Sequence, residues 1–182
     1  MDVEQYLAYE RGADTRHEFV GGDVWAMAGE SERHNQITSA LNFLLYGQLL
    51  DRDCAVFQSD MRVKADEKVY FCPDIVVVCG ETDYADDTRD ILLNPTVVIE
   101  VLSPSKEDYD RGRKFTNYRK IASLRDYVLV AQSEMNVEHH ALRVGEGWLL
   151  KEYANAEDRV QLLSIDCTLT LSNIYRKVTF DG

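Results

Sequence analysis

"NPTVVIEVLSPS", residues 94–105, holds the residues whose reading decides the fold. Val97 to Leu102 have the β-branched, apolar composition of a buried strand, yet Glu100 stands between Ile99 and Val101. An isolated ionised acid is too costly to bury, so Glu100 must be neutralised, paired or put to use. Pro95 precedes the stretch and Pro104 closes it, as suits residues that lack a ladder donor. A second apolar run, "PDIVVVC" at 73–79, opens on Pro73 and carries Asp74. Alternate strand residues share a face, so Asp74 groups with Val76 and Val78, and Glu100 with Val98 and Leu102. If the two strands are neighbours, the two carboxylates meet beside the start of the next helix.

The surrounding pattern is that of an α/β chain. A short helix is predicted from Asp2 to about Ala13, with Val3, Tyr6, Leu7 and Glu10 on successive turns. "RHEFVGGDVWAMAG" reads as a hairpin around Gly21–Gly22. Ser31 caps a long helix to about Leu50, with an apolar stripe of Ile37, Leu41, Leu44, Leu45 and Leu49. "CAVFQSDMRVKA" suggests a strand broken near Ser59–Asp60. After Glu100, Asp108 is positioned to cap a helix carrying Phe115, Tyr118, Ile121 and Leu124. "DYVLVAQ" is a strand, then "VEHHALRV", "GWLLKEYA" and "RVQLLS" read as a C-terminal β-meander before a short helix near Leu171–Lys177. From Ser31 to Gln132 the core order is helix-strand-strand-strand-helix-strand, which implies a mixed central sheet. Residues 1–182 read as one domain, without repeats or linkers.

Composition narrows the classes. No apolar run approaches the roughly 18 residues of a membrane span, and the acidic N-terminus lacks the pattern of a signal peptide. Cys54, Cys72, Cys79 and Cys167 form no C-x-x-C motif and read as reduced thiols of a cytoplasmic protein. The formal charge of −12 opposes non-specific attraction to a polyanion. Charge is uneven, however: residues 80–90 hold five acids and one base, whereas 106–120 hold six bases and three acids. Two acids in an apolar setting repel each other, and a hard divalent cation such as Mg2+ or Mn2+ relieves that cost. Basic residues then follow on the helix: Arg111, Arg113 and Lys114. Acids, a cation and a lysine together are equipment for activating water against a phosphodiester.

These residues resemble the PD-(D/E)XK nuclease superfamily, and more closely its Uma-two family of restriction-endonuclease-like proteins. The resemblance rests on "HEFVGGDVWAMAG", on His34 at the head of the long helix, on "YFCPDIVVV", on "VVIEVLSPS", and on Asp110, Arg111, Lys114 and Tyr118 in the following helix. It spans nearly the whole chain and implies a restriction-endonuclease-like fold. It implies Asp74, Glu100 and the Val101 carbonyl as metal ligands, Glu18 as a further acid, and Lys114 as the catalytic lysine. The superfamily's lysine stands two residues after the glutamate. Here that position is Leu102, and Lys114 on the next helix is nominated in its place. Arg111, Arg113 and His34 are candidate nucleic-acid contacts.

Each residue also has a plainer reading. Glu100 suits a structural ion pair, Asp74 a strand entry, Glu18 a hairpin's solvent face, and His34 a helix-start residue bonding its own backbone. Tyr118 reads as core, His139 and His140 as structural, and Arg62 as a surface strand charge. Two functions stay open. One is an Mg2+-dependent endonuclease acting on DNA, with a homodimer suited to cutting both strands. The other is a catalytically inactive nuclease-fold protein serving as a homo-oligomeric interaction module.

Overall fold

The computed structural model describes residues 1–27, 31–103 and 107–180. The reading of Pro104 as a strand terminator lies outside the described residues.

Asp2 caps the first helix, α1 (Val3–Arg11), through a capping box with Gln5. The hairpin β1 (His17–Val20) and β2 (Asp23–Ala26) follows. Its turn places Gly21 and Gly22 at φ 62° and 112°, a left-handed pair that suits glycine. Ser31 accepts the His34 N–H and starts α2 (Glu32–Leu49), the long helix expected there. Its buried stripe is Ile37, Leu41, Leu45 and Leu49, with Leu44 half-buried beside it. Full burial of each such side chain contributes about 1.5–3 kcal/mol.

Next come β3 (Cys54–Gln58), β4 (Arg62–Asp66), β5 (Val69–Phe71), β6 (Ile75–Cys79), the two-residue β7 (Ile91–Leu92) and β8 (Val97–Leu102). Three consecutive helical segments lead out of β8: α3 (Glu107–Tyr109), a π-helical turn (Asp110–Lys114) and α4 (Phe115–Tyr118). The chain ends with β9 (Asp126–Ala131), β10 (Val137–Arg143), β11 (Gly147–Tyr153), β12 (Arg159–Leu162), β13 (Cys167–Thr170) and α5 (Leu171–Ile174).

Among the described residues, one sheet runs β11-β10-β9-β8-β6-β3 and another β2-β1-β5-β4-β7. β8 lies inside the first, antiparallel to β6 and parallel to β9. The helix-strand-strand-strand-helix-strand core therefore maps onto α2, β3, β6, β8, the three-part helix and β9. Ile75, Val77, Ile99 and Val101 pack under α2, while Val76, Val98 and Leu102 pack against Val63 and Phe71 of the second sheet. The outer face of that sheet buries Phe19 and Tyr70 against Tyr6 of α1. The layers are thus helix, sheet, sheet and helix, and the inter-sheet layer is where Glu100 points.

Four expectations need correction. The helix after β8 begins at Glu107, so Asp108 sits within its first turn and does not cap it; it ends at Tyr118, leaving Ile121 and Leu124 in the following turns. The meander stops at β11, because β12 pairs with β13 as a separate hairpin. Arg62 is 2% exposed, paired with Glu10 and Asp90. Finally, Cys54 and Cys79 are neighbours in the β3–β6 register and are joined as a disulfide; Cys72 and Cys167 are free and buried. Only strand pairing brings cysteines 25 residues apart together. The bond removes the thiol pattern as a sign of a reducing compartment. No described helix is long and apolar enough to cross a membrane.

Candidate functional site

Ile75 is paired with Ile99, so one step further along these antiparallel strands sets Asp74 opposite Glu100. Both carboxylates are buried, at 5% and 4% exposure, and both line one small crevice between the sheets. Asp74 Oδ2 accepts the Val101 N–H at 2.7 Å and lies 3.2 Å from His34 Nε2. In a strand the carbonyl of a residue projects to the same side as its N–H, so the Val101 carbonyl is turned the same way. Tyr118 donates its hydroxyl to Glu100 Oε1 at 3.2 Å. Burial, first of all, holds the Glu100 carboxyl well above the usual carboxylate range; Lys114 opposes this, and Asp110, Asp74 and Glu18 add to it.

The helical segment supplies the cation. Lys114 is 3% exposed, and its Nζ lies 2.7 Å from Glu18 Oε1, 3.0 Å from Glu100 Oε1 and 3.2 Å from Asp110 Oδ1. Burial works against its charge, yet Glu100, Glu18 and Asp110 together hold its ammonium well above the usual lysine value. The three carboxylates thus favour its charged form, in which it can only donate. A π turn in a helix shifts the helical register locally, a device common at functional sites. Here the turn begins at Asp110 and ends at Lys114, the two residues of the segment that reach the cluster. Tyr127 donates to the Asp110 carbonyl at 3.0 Å and fastens the turn to β9.

The structure thus brings Glu18, Asp74, Glu100, Val101 and Lys114 to one place, with His34 among them. Glu18 is buried and faces the inter-sheet layer, not solvent. His34 is turned to Asp74, inside the fold, not to its own backbone alone and not to the outer surface. Of the other candidate nucleic-acid contacts, Arg113 is exposed, whereas Arg111 is engaged by Glu107 and Glu138 at 2.7 Å each. Asp110 and Tyr118 reach the site without having been nominated for it. The signal for them is their spacing: Asp110, Lys114 and Tyr118 recur every fourth residue, the period of one helix stripe.

Four acids, Glu18, Asp74, Glu100 and Asp110, face one lysine and one histidine. Glu18 Oε1, although 2.7 Å from the ammonium, lies outside hydrogen-bond geometry with any described partner. The donor set is all oxygen, the chemistry of a hard divalent cation. Among the described residues no three acid, histidine or cysteine side chains form a ready-made metal cage. The Lys114 ammonium holds the point on which Glu18, Glu100 and Asp110 converge. By donor chemistry, Asp74, Glu100 and the Val101 carbonyl are the oxygen groups that could hold such a cation.

Comparison with known proteins adds four findings. Residues 3–172 match the Uma2 family, described as "Putative restriction endonuclease". The chain is 34% identical over 181 residues to "Uncharacterized protein slr1290" of Synechocystis sp. (strain ATCC 27184 / PCC 6803 / Kazusa), covering 99% of this chain and 94% of that one. It is 36% identical over 168 residues to "Uncharacterized protein sll1609" of the same organism, covering 91% and 95%. Its fold matches, with a TM-score of 0.80 over 97% of this chain and 98% of the other at 15% identity, a crystal structure from Anabaena variabilis ATCC 29413 described as "a putative nuclease belonging to DUF820". The core order, the paired strands bearing Asp74 and Glu100, and the match over residues 3–172 agree: this chain has a restriction-endonuclease-like fold and belongs to the Uma2 family.

Proposed function

We propose that the chain is a metal-dependent nuclease that hydrolyses phosphodiester bonds, with DNA as substrate and Mg2+ or Mn2+ as cofactor. The observation that carries this reading is a buried, acid-heavy cluster with a lysine at its centre, whose charged form the surrounding carboxylates favour. Asp74, Glu100 and the Val101 carbonyl would hold the ion. Bound there, it supplies Lewis-acid polarisation of the phosphate and lowers the pKa of water.

The chain's own residues do the positioning. His34 and the Val101 N–H fix the Asp74 carboxylate, and Tyr118 fixes Glu100. Glu18 and Asp110 hold the Lys114 ammonium in the wall of the crevice, from which it can donate to a non-bridging phosphate oxygen as negative charge develops. Lys114 replaces the lysine absent at Leu102, which is 1% exposed and packed in the inter-sheet core. That absence, with the −12 charge, favours the second reading of a non-catalytic, homo-oligomeric module.

The two readings separate in one assay. Single- and double-stranded DNA and RNA are incubated with manganese and wild type, Lys114→Ala or Glu100→Ala. The nuclease reading expects both variants to lose about 10²–10³-fold in rate, the usual effect of removing one preorganised charge donor. Equal, background-level rates in all three proteins would leave the non-catalytic reading in possession.

A further inference from the structure

Trp25 lies on the site-facing side of β2 and is not covered. The β1–β2 register sets it opposite Glu18, and directly opposite residues of an antiparallel pair project to one face. That face is the inner one: Glu18 reaches Lys114, and Val20, two residues on, packs into the inter-sheet core. The other face of the hairpin packs under α1 through Phe19 and Val24. An indole on the inner face should be covered as Val20 is, yet Trp25 is 55% exposed. Tryptophan is highly buried on average. Its exposure here therefore needs an explanation other than packing.

The neighbours of Trp25 supply one. Met27 extends the pairing of β2 through its N–H to the Arg16 carbonyl at 2.8 Å, and it lines the crevice with Asp74, Glu100 and Lys114. Met27, two residues after Trp25, thus brings an apolar side chain from the hairpin to the carboxylates. Half-buried Tyr109 packs against the same inter-sheet core as Val20.

We propose that Trp25 is a stacking platform for an unpaired nucleobase, so that this site takes single-stranded or locally unpaired nucleic acid in preference to intact duplex. The proposal rests on the nuclease reading and deepens it. A chain of net charge −12, with four acids at the site, gains little affinity from phosphate neutralisation. Stacking on an aromatic ring is indifferent to base identity and worth roughly 5- to 150-fold in affinity per base. In an intact duplex both faces of each base are already stacked, so the indole has nothing to receive.

The sequence makes a direct readout available, because Trp25 and Trp148 are its only tryptophans. Trp148 stands edge-on to Phe115, away from β2 in sequence and on β11, so Trp148→Phe leaves Trp25 as the sole indole emitter. Full-length protein carrying that change is titrated with a mixed-sequence 12-mer, as DNA and as RNA, single-stranded and as duplex, in calcium and again in EDTA. Single strands should quench Trp25 emission to saturation, and duplex at equal phosphate should not. By anisotropy with a labelled single strand, Trp25→Ala should bind about 5- to 150-fold more weakly and Trp25→Phe should recover part of the loss. Both variants should keep the wild-type melting temperature, which separates lost stacking from lost fold. The proposal is overturned if single strands do not bind, if they bind without changing Trp25 emission, if duplex quenches as strongly, or if Trp25→Ala binds as tightly as wild type. Cleavage that is indifferent to Trp25 would remove the platform and leave the nuclease reading. Trp25-dependent binding with no cleavage would remove the nuclease reading and leave the platform.

Discussion

Two buried charge clusters occupy this fold, and they are built differently. The first joins α1, β1, β4 and the acidic loop before β7. Arg62 meets Glu10 Oε1 at 3.1 Å and Asp90 Oδ2 at 3.0 Å; Arg11 clasps both oxygens of Asp90; Glu10 takes the His17 N–H at 3.0 Å and faces its Nδ1 at 2.9 Å. Both oxygens of Glu10 and of Asp90 are met. The second cluster sets Glu18, Asp74, Glu100 and Asp110 around Lys114 and His34, and leaves Glu18 Oε1 without hydrogen-bond geometry. Burial of charge is common to both. What differs is closure around the acids: in the first network every oxygen of Glu10 and Asp90 is met, with Arg62 Nε left over, whereas the other keeps an excess of negative charge facing a crevice. Closure around the acids suits a structural device, and the surplus of negative charge is what the proposed cation would relieve.

This contrast can be broken or sharpened by experiment. The largest effect is expected in the closed network. Arg62→Ala leaves Glu10 buried and opposed only by His17, and removing one partner of a buried pair typically costs about 3–5 kcal/mol. Denaturant unfolding should show that loss, while Glu100→Gln, which relieves repulsion, should unfold no earlier than wild type in EDTA. An equal loss in both would erase the distinction.

Next in size is the response to manganese. An ion at 100 times its Kd stabilises the native state by about 2.7 kcal/mol. The thermal shift should vanish in Glu100→Gln and persist in Asp90→Asn. Its survival in Glu100→Gln would move the metal elsewhere.

The smallest effects are the slopes with pH, and they should have opposite signs. In metal-free protein Glu100 keeps its proton in the native state above the pH at which the unfolded carboxyl, near ~4.3, loses it. The native state then binds more protons, so stability falls as pH rises above that value. Asp90, held low first of all by its hydrogen bond from Arg11, contributes stability that is present above about pH 4 and lost as pH falls further. Melting temperatures from pH 3 to 8 should lose the first slope in Glu100→Gln and the second in Asp90→Asn.

Much of the open cluster is legible in the sequence, and almost none of the closed one. Glu100 announces itself because it interrupts an apolar strand, and Asp74 because a proline-bounded strand begins with it. The long helix is legible from Ile37, Leu41, Leu45 and Leu49 on one stripe. Arg62 is not, since a basic residue after a turn has the pattern of a solvated strand, and its partners lie 52 residues before and 28 after it. Cys54 and Cys79 are hidden for the same reason, being adjacent only across a strand pair. β5, β7 and β13 are three, two and four residues long, too short for a hydrophobic period to register. Local chemistry reads from sequence; pairing across distant elements does not.

The π turn has a consequence for how this helix tolerates change. An α-helix advances about 100° per residue, and a π turn admits one extra residue without lengthening the ladder. Removing one residue between Asp110 and Lys114, Gly112 for instance, would let the ladder close as ordinary α-helix. Everything downstream would then keep its place, Tyr118 on Glu100 and Phe115 on Tyr127, and the change would fall on the spacing of Asp110 and Lys114. A substitution in this segment alters one contact, whereas a deletion removes the turn that brings both Asp110 and Lys114 to the cluster. The segment is therefore spelled by its length as well as by its letters.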